Sequence, residues 1–210
     1  MELKELKKVC EKGENQFVEF KKKANHPDQI LEEIVGFANA HGGNIFVGVD
    51  DNGLTHGVKF AGDDVTFLRD EIQKRINPKP DYEMGLIPVN KKKSIINIKI
   101  KPGLEKPYAL SYQETKKVFY RTDDLCIQAS RELRNILKIS RHEKGQKIIY
   151  SDVEGEILKI IDTRERITKA QIVEMINYKS RQISDCLVRL VAAGVLKIIP
   201  SVGNDFYEYP

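Results

Sequence analysis

Between Phe17 and Asp50 the period of the apolar residues changes twice, and this change limits the fold more than any other feature. Phe17–Lys22 alternates as a strand does, with Phe17, Glu19 and Lys21 on one face and Val18 and Phe20 on the other. Pro27 and Asp28 then open a helix, where a fixed φ and a first-turn carboxylate are both favourable. Ile30, Ile34 and Phe37, with Leu31, Val35 and Ala38, give it an apolar stripe. Gly42-Gly43 ends the helix, since glycine tolerates a left-handed C-terminal residue best. Asn44–Asp50 follows as a short apolar strand, and Asp51-Asn52-Gly53 is a turn signal. Two strands flanking one apolar helix are expected to lie side by side, with Glu19 and Asp50 near one another.

The rest of the first part mixes element types. Helices are expected over Glu2–Glu11, Asp64–Ile76 and Ser130–Ile139. Strands are expected over Tyr82–Val89, Ser94–Ile100 and Lys116–Arg121. The second part has another rhythm. Val153, Ile157, Leu158, Ile160 and Ile161 mark a helix, and Thr168-Lys-Ala-Gln171 is a capping-box pattern opening a second. Ser180 is placed as the cap of a third, with Ile183, Leu187, Leu190 and Val191 inward. Val195–Ile199 and Phe206–Tyr209 form a hairpin. Three short helices and a hairpin are the order of a winged helix-turn-helix. The polar stretch Ser140–Lys147 reads as a helix end and linker. The expectation is an α+β chain: a mixed-sheet domain over 1–140, a linker over 141–150, and a winged helix-turn-helix over 151–210.

Charge separates the two parts. Residues 151–210 carry 8 Lys/Arg against 9 Asp/Glu, whereas residues 1–150 carry 27 against 22, a net of +5. A basic excess favours anionic partners. No apolar run approaches the ~20 residues that span a bilayer, and the first residues lack a signal-peptide core, so no membrane association and a cytoplasmic location are expected. Cys10, Cys126 and Cys186 are scattered, and no HExxH spacing occurs. Zinc therefore has little support.

Glu14, Glu19 and Asp50 stand out as carboxylates that could hold a divalent metal and activate water. Glu19-Phe20-Lys21 has the Glu-x-Lys spacing of many metal-dependent nucleases, where Lys21 would steady an oxyanion; many exposed strands alternate these residues too. Glu14 and Glu19 stand five apart, an odd offset, so Glu14 must leave the strand to join Glu19. The glycine-rich run His41–Gly53 contains neither GxxxxGK[ST] nor GxGxxG. It reads more simply as a helix end, a close-packed strand glycine and a turn than as a phosphate cradle. The runs Lys21-Lys22-Lys23 and Lys91-Lys92-Lys93 are solvated charge or phosphate contacts. On the third C-terminal helix, Lys179, Ser180, Arg181, Gln182, Ser184, Asp185 and Arg189 remain for solvent. Arg and Gln suit base edges, and Lys and Ser suit phosphate.

Several ordered segments resemble one family. They are Gly13-Glu14, Val18-Glu19-Phe20-Lys21, Gly36-Phe37-Ala38-Asn39-Ala40-His41-Gly42-Gly43 and Phe46-Val47-Gly48-Val49-Asp50-Asp51-Asn52-Gly53. Ile76-Asn77-Pro78, Lys101-Pro102-Gly103, Lys106-Pro107-Tyr108 and Phe119-Tyr120-Arg121 continue the series. Together, over residues 13–130, they resemble the Schlafen AlbA-like domain of bacterial transcriptional regulators. Such regulators often carry a C-terminal winged helix. In animal Schlafen proteins the similar domain cleaves RNA with a Glu, Glu, Asp metal site. That resemblance implies Glu14, Glu19 and Asp50, with Asp51 competing for the last place. The sequence departs after Tyr120-Arg121, where Thr122-Asp123-Asp124 replaces the glycine-serine turn of many members.

The leading expectation is a DNA-binding transcriptional regulator acting as a homodimer. Its nucleic-acid contacts would be Lys179, Ser180, Arg181, Gln182 and Arg189, with Lys22 and Arg121 in the first domain. The alternatives are a Mg²⁺- or Mn²⁺-dependent RNA or DNA endonuclease using Glu14, Glu19, Lys21 and Asp50, and a regulator that binds ATP beside the glycine-rich run.

Overall fold

A computed structural model describes residues 1–139 and 151–210. The chain divides into two compact units, Met1–Ile127 and Gln128–Pro210. The linker expected over 141–150 lies outside the described residues.

The first unit opens with α1 (Leu3–Cys10), β1 (Val18–Lys21), α2 (Pro27–Asn39) and β2 (Gly43–Val47). It continues through α3 (Ala61–Arg75), β3 (Ile76–Asn77), β4 (Tyr82–Asn90) and β5 (Lys93–Ile100). It ends with β6 (Ala109–Tyr112), β7 (Thr115–Lys117), β8 (Phe119–Thr122) and β9 (Leu125–Gln128). The main sheet runs β1-β2-β5-β4. β1 and β2 are parallel and side by side, with Glu19 opposite Ile45, while β5 is antiparallel to both of its neighbours.

Strand side chains alternate between faces, so each strand feeds two cores. Val18, Phe20, Phe46 and Ile95 meet Leu6 and Cys10 of α1. Ile45, Val47, Ile96 and Ile98 meet Ile34, Phe37, Leu68 and Ile72 of α2 and α3. Each such side chain contributes roughly 1.5–3 kcal/mol on burial. Glu19 belongs by parity to the α2 face, which decides its surroundings.

The single strand expected over Lys116–Arg121 is two. β7 pairs with β6, β8 pairs with β9, and buried Val118 separates them, because the two halves serve different sheets. α3 begins at Ala61, three residues before the expected start, with Asp63 and Asp64 in its first turn. At the β8–β9 turn, Asp123 takes a left-handed φ of 49°, a conformation that glycine adopts at less cost.

The second unit comprises α4 (Arg131–Ile139), α5 (Asp152–Asp162), β10 (Ile167–Thr168), α6 (Lys169–Met175), α7 (Ser180–Ala192), β11 (Lys197–Ile199) and β12 (Phe206–Glu208). Its antiparallel sheet runs β10-β12-β11. Ile157, Ile161, Ile172, Ile183, Leu187 and Tyr207 fill the core. The capping box forms: Gln171 N donates to Thr168 Oγ1 at 3.3 Å, and Thr168 N donates to Gln171 Oε1 at 3.0 Å. Ser180 is the first helical residue rather than the cap. Lys179 stands before it, and its backbone N–H donates to Gln182 Oε1 at 3.1 Å. α4 is bonded into this unit through Glu132, which accepts from Lys169 Nζ at 2.8 Å and from Ser184 Oγ. Among the described residues, no helix is long and apolar enough to cross a membrane.

Candidate functional site

Glu19 is only 5% exposed, because its parity on β1 turns it toward α2. There it meets Glu33, a carboxylate set within the apolar stripe of α2 and 8% exposed. Two buried carboxylates side by side need counter-charge. Arg121 of β8 supplies it. Its Nη1 donates to Glu19 Oε2 at 2.7 Å and to Glu33 Oε2 at 2.9 Å. Its Nη2 donates to the carbonyls of Asn15 and Val18 at 2.9 and 3.3 Å, and the guanidinium lies 5.1 Å from the Phe37 ring centroid. Lys21 adds a second cation, donating to Glu19 Oε1 and lying 3.8 Å from Glu33 Oε1.

The charges act on one another. Burial, reinforced by the neighbouring Glu19 charge, raises Glu33 to about 7 despite Arg121 and Lys21. Burial works against the Lys21 charge, but the hydrogen bond to Glu19 and the surrounding carboxylates outweigh it and hold the ammonium above its ordinary range. Burial raises Glu14 as well, although the Phe20 amide donates to its Oε1 at 2.7 Å.

Glu14, Glu19, Lys21, Lys22 and Asp51 line one cleft of about 510 Å³. Asp50 stands outside it. Asp50 Oδ2 accepts from Lys22 Nζ at 2.9 Å and lies 3.4 Å from His56 Nε2. The Lys22 hydrogen bond holds that carboxyl below its ordinary range, aided by His56. The third acid lining the cleft is thus Asp51, because the β2 strand ends at Val47 and the following turn carries Asp50 toward Lys22 and His56.

A divalent cation needs several oxygen ligands converging on one point. Here both Glu19 oxygens already accept from Arg121 and Lys21, and one Glu14 oxygen accepts from Phe20. Among the described residues no three His, Cys, Asp or Glu side chains form a group able to hold a metal. The donor set therefore does not fit Mg²⁺ or Mn²⁺. The glycine-rich run fits an ATP phosphate no better. The backbone amides of Gly42, Asn44, Gly48 and Gly53 all donate to main-chain carbonyls, at 2.9, 2.8, 2.7 and 2.7 Å.

The remaining motif residues bind the unit together. Asn39, fully buried, donates to the carbonyls of Tyr108 and Phe119 at 2.9 and 2.8 Å and accepts from Tyr108 N at 2.7 Å. At Gly36, a Cβ would stand 2.7 Å from Cys126 Sγ and 3.5 Å from Arg121 N. A side chain there would press on the Cys126 thiol of β9, whereas the β8 backbone lies at ordinary contact distance. A family model described as Schlafen, AlbA_2 matches residues 14–130, more than half of the chain.

The chain belongs to the Schlafen AlbA_2 family. Solved structures similar to it include the DIP2311 protein of Corynebacterium diphtheriae, at 18% identity and a TM-score of 0.46, over 70% of this chain and 30% of that one. The N-terminal domain of a RecG-related protein of Nitrosomonas europaea is similar at 18% identity and a TM-score of 0.45, over 70% of this chain and 94% of that one. No curated protein matches the chain.

Two expected contacts are corrected by burial, and a third residue is tied into an ion pair. Arg121 is 2% exposed with both Nη atoms engaged, so it holds the core of the first unit together and cannot reach a phosphate. Ser184 is buried against Glu132. Arg189 stays exposed, with 47% of its side chain accessible, but donates through Nε to the fully buried Glu154 at 3.1 Å and so serves as a counter-ion inside its own unit. Lys179, Ser180, Arg181 and Gln182 are exposed at the start of α7, and the Arg181 side chain is 80% accessible. Lys22 is exposed too. Glu33 was missed, although its signal is in the sequence: it lies three residues after Ile30 and four before Phe37, so it is an acid at an apolar-stripe position.

Proposed function

We propose that the chain is a DNA-binding regulator in which the second unit reads sequence. The observation that carries this reading is the first turn of α7. Its inward side chains Ile183, Leu187 and Leu190 are spent on the core, while Lys179, Ser180, Arg181 and Gln182 face solvent together. Arg and Gln supply bidentate donors and acceptors for base edges in a major groove, and Lys and Ser suit phosphate oxygens. The order α5, β10, α6, α7, β11, β12 is that of a winged helix-turn-helix, whose second helix after the turn is the reading helix. One such helix offers a small readout surface, so the acting form is a homodimer on two half-sites. The first unit, whose exposed lysines include Lys22, Lys23 and Lys59, supplies contacts that do not depend on sequence.

Selection of bound duplexes from a random pool by the full chain, followed by titration, tests the reading. Arg181→Ala is expected to weaken binding to the selected sequence by about 1–3 kcal/mol and to relax preference at one position. Recovery of no preferred sequence, or an unchanged preference in Arg181→Ala, would overturn it. Light scattering of the complex is expected to give two chains per duplex.

A further inference from the structure

A second basic feature lies away from the buried carboxylates. Lys22, Lys23, His56, Lys59 and Lys93 surround a pocket of about 420 Å³ floored by Gly57 and Val58. These cations come from three stretches of sequence: the end of β1, the loop after β2, and the start of β5. Two glycines bring them together. Gly48 and Gly57 have φ of 106° and 67°, and a Cβ on Gly48 would stand 2.9 Å from Gly57 Cα. Their close approach lets Val58 and Ser94 exchange backbone hydrogen bonds at 2.8 and 3.1 Å, which seats the loop beside Lys93.

The charge in this pocket is largely uncompensated. Asp50 neutralises Lys22 and faces His56. Among the described residues, Lys23, Lys59 and Lys93 make no ion pair with a carboxylate, and no acid lines the pocket. Lys91 and Lys92 extend the cationic surface along the β4–β5 turn and are exposed.

The pocket also shows what sort of anion it suits. His56 N and Gly57 N both donate to Gly48 O at 2.9 Å, and Val58 N is spent on Ser94. His56, Gly57 and Val58 therefore leave no backbone amide to cradle a terminal phosphate, as a nucleotide site requires. No Phe, Tyr, Asn or Gln lines the pocket to stack on or read a base. What remains is a set of long, flexible point charges. Such charges hold the evenly spaced phosphodiesters of a polynucleotide without reading sequence.

We infer that Lys23, Lys59 and Lys93, with Lys22 at the rim, form a site for the phosphodiester backbone of a nucleic acid. This site rests on the nucleic-acid reading above and adds to it a phosphate contact in the first unit, separate from α7.

The test uses the full chain and measures anisotropy of labelled, arbitrary-sequence duplex DNA, single-stranded DNA and RNA across a salt series. A variant carrying Lys23→Ala, Lys59→Ala and Lys93→Ala is compared with a control carrying Lys4→Ala, Lys8→Ala and Lys116→Ala, all exposed and in the first unit. Both lose the same charge. For duplex DNA, the slope of log K against log salt is expected to fall by about 2–3 in the pocket variant, as loss of three phosphate contacts requires. The control should change it by less than about 1. Replacing the same three residues by Arg is expected to restore the slope. The arm that shows the larger change, duplex or single strand, identifies the backbone held. Equal effects of pocket and control variants, with wild-type binding intact, would overturn the pocket alone. Absence of polynucleotide binding by the wild type would overturn the functional reading and the pocket with it. Pocket-dependent binding of ATP but of no polynucleotide would make this a nucleotide site and overturn the backbone assignment.

Discussion

Arg121 Nη1 lies 2.7 Å from Glu19 Oε2, although 102 residues separate them in sequence. The same guanidinium reaches Glu33 on α2 and the Asn15 and Val18 carbonyls, so one side chain ties β1, α2 and β8 together. Removing it leaves two buried carboxylates with Lys21 as their remaining cation. Arg121→Met is expected to destabilise the first unit by about 3–5 kcal/mol. Arg121→Lys should recover only part of this, because an ammonium lacks the planar fork. Urea unfolding followed by circular dichroism measures both. A stable Arg121→Met protein that had lost only DNA affinity would show that the residue serves phosphate and not the fold.

Glu33 makes that network sensitive to pH. Burial and the Glu19 charge raise its carboxyl to about 7, against 4.5 for the free group. The folded state then keeps a proton that the unfolded chain releases, so stability falls as pH rises from about 4.5 to about 7. Glu33→Gln is neutral throughout and still offers Arg121 an acceptor. It is expected to flatten this loss and to match or exceed wild-type stability above the window. Melting temperatures of the two proteins across the window decide; parallel curves would count against a raised Glu33.

The metal question yields a direct expectation. With the Glu19 oxygens occupied by Arg121 and Lys21, Mn²⁺ should leave the melting temperature of the full chain unchanged, and structured RNA should stay intact in its presence. A Mn²⁺-dependent rise in melting temperature that disappears in Glu19→Ala would show that the ion displaces those cations.

How far the sequence could be read follows from where each signal arises. The β1–α2–β2 unit was legible because the apolar period changes within one contiguous stretch, and the α7 core followed from Ile183, Leu187 and Leu190 for the same reason. β3, β6 and β9 were not legible: at two to four residues they are too short to show alternation, and pairing partners define them. Arg121 read as a surface cation because nothing local tells an exposed strand arginine from one drawn in by two distant acids. Asp50 and Asp51 could not be separated by spacing, since the turn after β2 decides which of the two faces Glu14. Gly48 was legible as a close-packed strand glycine, and Gly57 was not. The residue each approaches is nine positions away, and Lys93 is brought in by a third segment.

The last expectation concerns acid and the second unit. Glu154 on α5 is fully buried, which alone would raise its carboxyl. Hydrogen bonds from Ser151 and Arg189 outweigh that burial and hold it down at about 2. The folded state therefore prefers the charged form more strongly than the unfolded chain does. The stabilisation is present above about 4.5 and is lost as pH falls toward about 2. Arg189→Ala leaves a buried carboxylate short of a donor and is expected to cost about 1–3 kcal/mol at neutral pH. It should also move the loss of structure in the second unit to higher pH, since Glu154 then protonates earlier. Hydrogen exchange of the α7 amides on stepwise acidification, in wild type and Arg189→Ala, measures both effects within that unit. If the two proteins lost protection at the same pH, the counter-ion role assigned to Arg189 would fail, and its exposed guanidinium would be free for DNA.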